Sequence, residues 1–320
     1  MKQNTWFIAG GAGFIGSHLI LELLKSNMKV ICIDNNRKNI ISMNKWLYKN
    51  ISSKKIKNLI IYKSDISNLN EIREIIKKYK FEILVNLAAI SSIKEADKKP
   101  QKLFKTNVLG FLYLLESINH KITKKVIYAS SSAVYGKFST KKNSEKQKLF
   151  PISKYGQSKL LCEKIAETYS ITKNINIIGL RFFNIYGERQ IFKGSISGVI
   201  PKWINALKYN KKVIIHNNKN ICRDFCYIGD VVQSIINCSI VKKNNIKSSV
   251  FNIGSGESIS VFHLFNLIKK LTKSKSSFIK YSKAPIGTVI KSGALINKAK
   301  KQLNYYPKFN IISGLRNFLY

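Results

Sequence analysis

Tyr155 and Lys159 are the first pair of residues whose types and spacing could do acid–base chemistry. The sequence predicts a helix over residues 154–172, and a spacing of four places both side chains on one face of it. A lysine ammonium next to a phenol favours the phenolate, which can take a proton from a substrate hydroxyl. The pattern is common and by itself usually marks a solvated helix face, so its meaning depends on its surroundings.

A run of serines, Ser130-Ser131-Ser132, stands where the strand predicted over residues 125–129 ends. A hydroxyl at that edge can hydrogen-bond the same substrate oxygen as the phenol and relay its proton. We therefore take Ser131 and Ser132 as candidate catalytic residues beside Tyr155 and Lys159. The alternative interpretation is a polar turn.

Glycines recur near the N-terminus in a segment that fits G-x-G-x-x-G, Gly10-Gly11-Ala12-Gly13-Phe14-Ile15-Gly16. It lies between a predicted strand and a predicted helix, which is the context that this motif requires. Glycines let the backbone approach a pyrophosphate, which the unpaired N–H groups of the helix N-terminus attract. The segment predicts a dinucleotide cofactor, against the alternative of a glycine-rich turn without a ligand.

Asp34 ends the second predicted strand, 18 residues after Gly16. A carboxylate at that place accepts hydrogen bonds from the adenosine ribose and repels a 2′-phosphate, so NAD is favoured over NADP. Arg37 is a counter-argument, because a nearby guanidinium could receive such a phosphate. Asp65, after the third strand, could meet the adenine or could equally well cap the next helix.

The alternation of strands and helices predicts the fold. Apolar, strand-like segments at 6–9, 30–34, 59–62, 83–87, 125–129 and 175–180 alternate with helical ones at 14–26, 68–80, 99–119 and 154–172. This pattern is typical of an α/β protein with a doubly wound parallel sheet of the Rossmann type. Beyond Arg181 the segments become shorter and richer in turns. We therefore predict an NAD-binding domain over 1–180 and a smaller α+β substrate-binding portion over 181–320, intertwined with the first, and a polar surface loop over 137–148.

The composition is strongly basic, with a formal net charge of +40, yet only six of the 56 basic residues are arginines. Lysine, asparagine and isoleucine are all abundant, which favours compositional drift over nucleic-acid or membrane binding, although the positive field would attract an anionic substrate. The five cysteines follow no framework pattern, so we expect reduced, buried thiols and no metal site. With no apolar stretch long enough for a bilayer and no cleavable leader, a cytoplasmic protein is expected.

Together these motifs resemble those of the extended short-chain dehydrogenases/reductases, in the group of NAD-dependent sugar-nucleotide epimerases and dehydratases. The resemblance covers essentially the whole chain and extends to Asn86–Ala89, Thr106–Gly110, Ser131–Gly136, Arg181–Gly187 and Arg223–Ile228. It implies that NAD is held by Gly10, Gly13, Phe14, Ile15, Gly16, Asp34, Asn35, Asp65, Ile66, Leu87, Ala88, Ala89, Thr106, Tyr155, Lys159 and Ile185. It places Ser92, Ser131, Ser132, Tyr155, Asn184, Arg189, Val199, Arg223 and Ser292 at the nucleotide sugar, with Arg223 suited to grip the diphosphate.

The resemblance also indicates the reaction. Dehydratases of this family carry an Asp-Glu pair just after the first hydroxyl residue of this strand end, where the present chain has Ser132-Ala133; the Glu usual in decarboxylases is also missing. A 4-epimerase is therefore implied. Tyr155, helped by Ser131, takes the proton of the sugar 4-hydroxyl while hydride passes from carbon 4 to NAD⁺. The 4-keto sugar swings about its diphosphate linkage and receives hydride on its other face, while Lys159 holds the nicotinamide ribose.

The identity of the sugar depends on Ser292. UDP-glucose 4-epimerases that exclude 2-acetamido sugars resemble one another in having a bulky tyrosine there, so a serine implies room for an N-acetyl group. Interconversion of UDP-N-acetylglucosamine and UDP-N-acetylgalactosamine for surface polysaccharides is favoured, with UDP-glucose and UDP-galactose as a further pair. UDP-hexuronate 4-epimerisation and a non-catalytic NAD-binding role are the alternatives.

One segment departs from the family pattern. Relatives usually carry Arg-x-Gly-Asp where this chain has Pro285-Ile286-Gly287-Thr288, so both charged contacts with the nucleotide are lost. Lys202, Lys283 or Lys291 could substitute for the missing arginine. Family resemblance further implies a homodimer packed through the helices near 99–119 and 154–172.

Overall fold

Two units, each with dense internal contacts, make up the chain. The computed structural model describes residues 5–190, 198–216, 220–241, 248–274, 279–282 and 289–319. The first unit comprises Met1–Ser130, Gln157–Leu180 and Ile235–Val250, and the second comprises Ser131–Gly156, Arg181–Ser234 and Phe251–Tyr320. Each unit is thus made of three separate stretches of the chain. The division into an NAD-binding and a substrate-binding domain at residue 180 stays a prediction.

Strands and helices alternate through the first half of the chain in the order that the apolar pattern predicts. They are β1 (Thr5–Ala9), α1 (Phe14–Lys25), β2 (Lys29–Asp34), α2 (Arg37–Asn50), α3 (Ser53–Ile56), β3 (Leu59–Lys63), α4 (Leu69–Lys77), β4 (Ile83–Asn86), α5 (Ile93–Lys98), α6 (Pro100–Phe104), α7 (Gly110–Ser117) and β5 (Lys125–Ser131). A π-helical turn, Lys105–Leu109, joins α6 to α7.

Elements are shorter in the second half, which explains its turn-rich sequence. They are α8 (Lys154–Thr172), β6 (Asn176–Phe182), β7 (Ile185–Tyr186), α9 (Val199–Lys208), β8 (Val213–His216), β9 (Cys222–Asp224), β10 (Cys226–Tyr227), α10 (Ile228–Ile240), β11 (Ser248–Ile253), β12 (Ser258–Ser260), α11 (Val261–Leu271), β13 (Ile279–Ser282), β14 (Lys291–Ser292), α12 (Asn297–Leu303) and α13 (Ile311–Leu319). Two 3-10 turns, Ser132–Val134 and Gly136–Phe138, precede α8.

A seven-stranded sheet with the order β11-β6-β5-β4-β1-β2-β3 is the framework of the first unit. The pairs β1–β2, β2–β3, β1–β4 and β4–β5 are all parallel. The strand order reverses between β1 and β4, which is where doubly wound sheets bind nucleotides beyond their carboxyl ends. Helices α1, α2 and α3 contact one another, and α4 packs against α7. This architecture confirms the predicted Rossmann-type α/β fold.

Burial along β2 shows why its sequence is an unbroken apolar run. Val30, Ile31, Cys32 and Ile33 are all fully buried, so both faces of the strand are covered. Continuous rather than alternating hydrophobicity is typical of parallel sheets that carry helices on both faces. Phe7, on the neighbouring strand, belongs with Ile31 to one continuous core cluster.

Small sheets organise the second unit, in the orders β12-β9-β14, β10-β7 and β13-β8. Helix α9 packs against α11 and β8, and the indole of Trp203 meets the ring of Phe265 edge-on at 5.5 Å between centroids. The C-terminal portion is therefore the α+β arrangement that the sequence predicts.

Several predicted features differ from the structure. The helix expected over 99–119 is interrupted by the π-helical turn. Helix α2 was not predicted, because only Met43 and Leu47 of its 14 residues are buried and its apolar periodicity is weak. Strand β11 joins the main sheet, a long-range pairing that no local pattern reveals. Asn143 lies in the loop that was predicted to be at the surface, but it is fully buried. The burial is tolerated because the side-chain amide donates hydrogen bonds to neighbouring backbone carbonyls.

All five cysteines are buried and free, as expected from the sequence. Among the described residues, no helix is both long and apolar enough to cross a membrane.

Candidate active site

The glycine loop between β1 and α1 is shaped to receive a phosphate group. Gly10 has φ of +74°, and a Cβ atom there would lie 2.5 Å from the backbone nitrogen of Ala88. Only glycine permits this approach, which brings the loop against another predicted cofactor residue. Gly13 is the N-cap of α1 and provides no side-chain hydrogen bond, so the first turn offers its N–H groups to a ligand. Phe14 and Ile15, the first residues of that turn, are half-buried.

Asp34, at the end of β2, connects the glycine loop to the adenosine side of the predicted site. Its carboxylate accepts hydrogen bonds from Ala12 N at 3.1 Å and Asn36 N at 2.9 Å. Burial raises the pKa of Asp34, while these two hydrogen bonds act against the rise. The carboxylate therefore holds the loop in place and keeps further lone pairs for a ribose.

The ends of β2 and β3 bring two further predicted cofactor residues together. Asn35 donates through Nδ2 to Asp65 Oδ2 at 2.8 Å, and Ser67 N donates to Asp65 Oδ1 at 2.9 Å. Burial pushes the pKa of Asp65 upward, but the hydrogen bonds from Ser67 and Asn35 outweigh it, so the pKa lies below its usual value. Asn68, not Asp65, caps helix α4, which leaves the ligand interpretation of Asp65 in place.

The other predicted cofactor residues of the first unit lie nearby in the sheet and on its helices. Leu87, Ala88 and Ala89 follow β4 and are half-buried, and Asn86 Oδ1 accepts from Ala88 N at 3.2 Å. Ile66 is instead packed in the core cluster, so its side chain serves the fold there.

Asn107, next to the predicted Thr106, is not among the predicted site residues. The π-helical turn buries both side chains. Asn107 Oδ1 accepts from Ile90 N at 2.8 Å, and Nδ2 donates to Ser158 Oγ at 3.0 Å. Asn107 therefore ties the segment after β4 to helix α8 at the residue just before Lys159. The sequence signal was its place in the family segment Thr106–Gly110, which assigned no role to Asn107 itself.

Lys159 is anchored at the carboxyl end of β5. Its ammonium donates to the carbonyl of Ala129 at 2.8 Å, and only 4% of the residue is exposed. Beside it, Ser130 Oγ donates to Glu163 Oε1 at 2.5 Å. The lysine charge is thus held at the sheet edge from which the serine-rich turn departs.

Tyr155 and the serine-rich turn lie together in the second unit. Ser131 closes β5, and its Oγ accepts from Ala133 N at 3.2 Å, which caps the 3-10 turn containing Ser132. A Cβ atom on Gly156 would lie 2.7 Å from the Ala133 carbonyl oxygen, so the start of α8 packs directly on this turn. The turn that carries Ser131 and Ser132 therefore lies against the start of α8, where Tyr155 is half-buried.

Two of the predicted substrate residues are neighbours on adjacent strands. Ser292 of β14 is paired with Arg223 of β9, and Ser292 is buried. The Arg223 guanidinium donates to the carbonyls of Cys222 at 2.8 Å, Ile290 at 3.0 Å and Val289 at 2.5 Å. These bonds orient it along the strand edge, and its role on a diphosphate stays a prediction.

The remaining predicted substrate residues are dispersed over loops and helix ends. Asn184 is exposed, and its Nδ2 donates to the backbone oxygen of Asp224 at 2.8 Å. Ser92 caps α5 by accepting from Glu95 N at 3.3 Å.

Three more positions complete the predicted site. Ile185 lies in β7 and Val199 begins α9, while Arg189 has φ of +64°. The departing segment from Pro285 to Thr288, and Lys283 before it, lie outside the described residues.

The fold and the site define an enzyme of the extended short-chain dehydrogenase/reductase class, in the group of NAD-dependent nucleotide-sugar epimerases and dehydratases. A family model described as GDP-mannose 4,6 dehydratase matches residues 7–318, and the chain belongs to that family. A putative UDP-glucose 4-epimerase of Methanocaldococcus jannaschii is 31% identical, over 97% of this chain and 95% of the relative.

Solved structures agree with this assignment. A UDP-N-acetylglucosamine 4-epimerase from Methanobrevibacter ruminantium, in complex with UDP-N-acetylmuramic acid, has a TM-score of 0.88 and 26% identity, covering 100% of this chain and 98% of that one. A UDP-glucuronic acid 4-epimerase mutant from Bacillus cereus, in complex with a fluorinated substrate analogue and NAD, has a TM-score of 0.87 and 28% identity, covering 98% and 97%. The glycine loop, the helix end without a side-chain cap and Asp34 of this chain fit the cofactor of the family.

Replacing Asp34 with asparagine should weaken NAD binding and change the preference between NAD and NADP. Hydrogen bonds to a charged group contribute about 1.5–3 kcal/mol, so we expect the Kd for NAD to rise about tenfold to a hundredfold. The Kd for NADP should change much less, because the repulsion of its 2′-phosphate is removed. Calorimetric titration of both cofactors measures this. The control is Glu22→Gln on α1, which removes an exposed carboxylate paired with Lys25. An unchanged ratio of the two Kd values in Asp34→Asn would contradict the assignment of Asp34 to the adenosine ribose.

Proposed function

We propose that the protein is an NAD-dependent UDP-sugar 4-epimerase, an isomerase, and that its substrates are UDP-N-acetylglucosamine and UDP-N-acetylgalactosamine. The observation that carries the proposal is the turn after β5. Ser131 stands there beside the start of α8, which bears Tyr155, and the next two positions are Ser132 and Ala133, without an acidic side chain.

NAD, when bound, supplies the hydride acceptor and donor for carbon 4 of the sugar, so the chain itself must handle one proton. Tyr155 takes that proton from the 4-hydroxyl and later returns it. Ser131 hydrogen-bonds the same oxygen, and Lys159 lies one helical turn from Tyr155 on α8. Because Ser132 and Ala133 carry no carboxyl group, elimination of water from the sugar lacks its acid and base.

The wall around Ser292 supports the choice of sugar. Ser292 is buried next to Arg223 on the adjacent strand. A serine takes up less volume there than the tyrosine of epimerases that exclude 2-acetamido sugars, so an acetamido group is the substituent that we expect at this wall. The likeness to a UDP-N-acetylglucosamine 4-epimerase over the whole chain points the same way.

UDP-hexuronate 4-epimerisation is the second candidate. The net charge of +40 would attract an acidic sugar, and the chain is similar to a UDP-glucuronic acid 4-epimerase over almost its full length. A lysine near the sugar would be needed to pair the carboxylate, and Lys202, three residues after Val199, and Lys291, next to Ser292, are described candidates.

We further propose a homodimer packed through α6, α7 and α8, acting in the cytoplasm on precursors of a surface polysaccharide. Leu109, in the π-helical turn, and Leu161, on α8, are each about two-fifths exposed, at 40% and 43%. Apolar side chains exposed on these helices are the kind that a subunit interface would cover.

Product analysis on a panel of substrates tests the proposed function. The purified protein is incubated separately with UDP-N-acetylglucosamine, UDP-glucose and UDP-glucuronate, and the products are separated and quantified. We expect the 4-epimer of UDP-N-acetylglucosamine at equilibrium with its substrate. Turnover of UDP-glucose or UDP-glucuronate without turnover of UDP-N-acetylglucosamine contradicts the assignment of the sugar.

A further inference from the structure

A buried polar network surrounds Tyr135 in the second unit. Tyr135 is fully buried; its hydroxyl donates to Asn252 Oδ1 at 2.6 Å and accepts from Arg181 Nη1 at 2.9 Å. The guanidinium carbon of Arg181 lies 5.0 Å from the centroid of the Tyr135 ring. We call Tyr135, Arg181, Asn252 and Asn143 the Tyr135 network, since hydrogen bonds join all four directly or through one another.

From Asn252 the network continues to the wall of the proposed sugar pocket. Asn252 Nδ2 donates to the carbonyl of Asn143 at 2.8 Å. Asn143 in turn donates through Nδ2 and through its backbone N–H to the carbonyl of Gly293, both at 2.8 Å. Gly293 directly follows Ser292. A continuous path of hydrogen bonds therefore runs from Tyr135 to Gly293, the neighbour of the residue that we expect to select the sugar.

At its other end the network holds the turn that carries Ser131. Tyr135 N donates to the carbonyl of Ser132 at 3.2 Å, and Lys137 N donates to that of Phe150 at 3.0 Å. Ser131 is the last residue of β5, and its Oγ accepts from Ala133 N at 3.2 Å. The bonds of Tyr135 therefore act on the turn that directly follows Ser131 and that orients its hydroxyl.

The chemistry of the network suits a fixed geometry. Burial raises the pKa of Tyr135 to about 12, with the charge and hydrogen bond of Arg181 acting against the rise, so the phenol remains a neutral donor at physiological pH. An apolar core would pack here at lower desolvation cost, whereas a satisfied polar network specifies one arrangement of its members.

We propose that Tyr135 is a positioning residue that couples the Ser131 turn to the Ser292 wall through Asn252 and Asn143. The hydroxyl of Ser131 and the wall at Ser292 then keep a constant distance and orientation while the 4-keto sugar turns over. This inference rests on the proposed function for its catalytic meaning. The physical coupling of the two segments stands on the hydrogen bonds alone.

The variant Tyr135→Phe tests the coupling, with Tyr305→Phe as a matched control. Tyr305 is also buried in the second unit, and its hydroxyl donates to the carbonyl of Gly254 at 2.8 Å. Each variant removes one buried hydroxyl, so both should lower the melting temperature by a few degrees. We expect Tyr135→Phe alone to lower kcat about tenfold with KM within twofold, and to reduce the preference for UDP-N-acetylglucosamine over UDP-glucose.

A double-mutant cycle with Ser131→Ala separates positioning from general destabilisation. If Tyr135 acts through Ser131, then Tyr135→Phe should lower kcat little further in the Ser131→Ala background. Full additivity of the two losses, or an equal fall of kcat in Tyr305→Phe, overturns the positioning role.

Hydrogen exchange measured without substrate tests the coupling whatever the enzyme turns over. In Tyr135→Phe, amides of residues 133–136 and of 293–295 should both exchange faster than in Tyr305→Phe. Unchanged exchange in either segment overturns the proposal. If the wild-type protein converts no UDP-sugar, the proposed function is refuted. The hydrogen-exchange result then still decides whether the two segments are coupled.

Discussion

Replacing Tyr155 with phenylalanine should reduce 4-epimerase turnover about a hundredfold to ten-thousandfold while NAD remains bound. A positioned general acid–base group contributes rate factors of that size, and phenylalanine keeps the ring while removing the hydroxyl that takes and returns the 4-hydroxyl proton. The aromatic ring is half-buried at the start of α8, so the change should disturb the fold little. Steady-state kinetics, together with fluorescence titration of the cofactor, measure the effect.

The matched control for this variant lies on the same helix. Tyr169→Phe removes a hydroxyl that donates to the carboxylate of Glu116, far along α8 from the serine-rich turn. We expect wild-type turnover from Tyr169→Phe. Undiminished activity in Tyr155→Phe would refute the acid–base role that we assign to it.

Replacing Ser292 with tyrosine should convert the specificity of the enzyme. A tyrosine and the acetamido group would compete for the same space, and overpacking costs about 1–3 kcal/mol, so kcat/KM for UDP-N-acetylglucosamine should fall about tenfold to a hundredfold. UDP-glucose lacks the acetamido group and should lose much less. The measured quantity is the ratio of kcat/KM values for the two substrates.

Ser292→Ala is the control, because it removes the hydroxyl and leaves the volume open. It should keep the wild-type preference between the two sugars. A melting temperature and an NAD affinity near those of the wild type would show that Ser292→Tyr has folded. An unchanged substrate ratio in that folded variant would mean that the acetamido group does not lie at this wall.

Motifs that depend on local spacing could be predicted from the sequence. The glycine loop with Asp34 and the pair Tyr155 and Lys159 each lie within one strand–turn–helix unit or one helix, where residue types and periodicity determine the geometry. The strand–helix alternation likewise predicted the parallel sheet. For the same reason, the NAD-dependent family was identified correctly from these segments.

Features that depend on contacts between distant segments could not be predicted. Tyr135 and Asn252 are 117 residues apart in the chain, and although Tyr135 lies in the family segment Ser131–Gly136, nothing in that segment indicates a bond to Asn252. Asn107 appeared to be an ordinary helical residue, because a π-helical turn has no sequence signature of its own. Asn143 was assigned to a surface loop on its polarity, although backbone carbonyls from other segments satisfy its amide.

The fate of the hydrogen on carbon 4 is the most direct test of epimerisation by hydride removal and return. UDP-N-acetylglucosamine carrying deuterium at carbon 4 is incubated with the purified enzyme and NAD in ordinary water, and the product is analysed by NMR and mass spectrometry. We predict UDP-N-acetylgalactosamine that retains the deuterium at carbon 4, with no loss of water from the sugar. A dehydrated product, or an epimer in which solvent hydrogen has replaced the deuterium, would contradict the account.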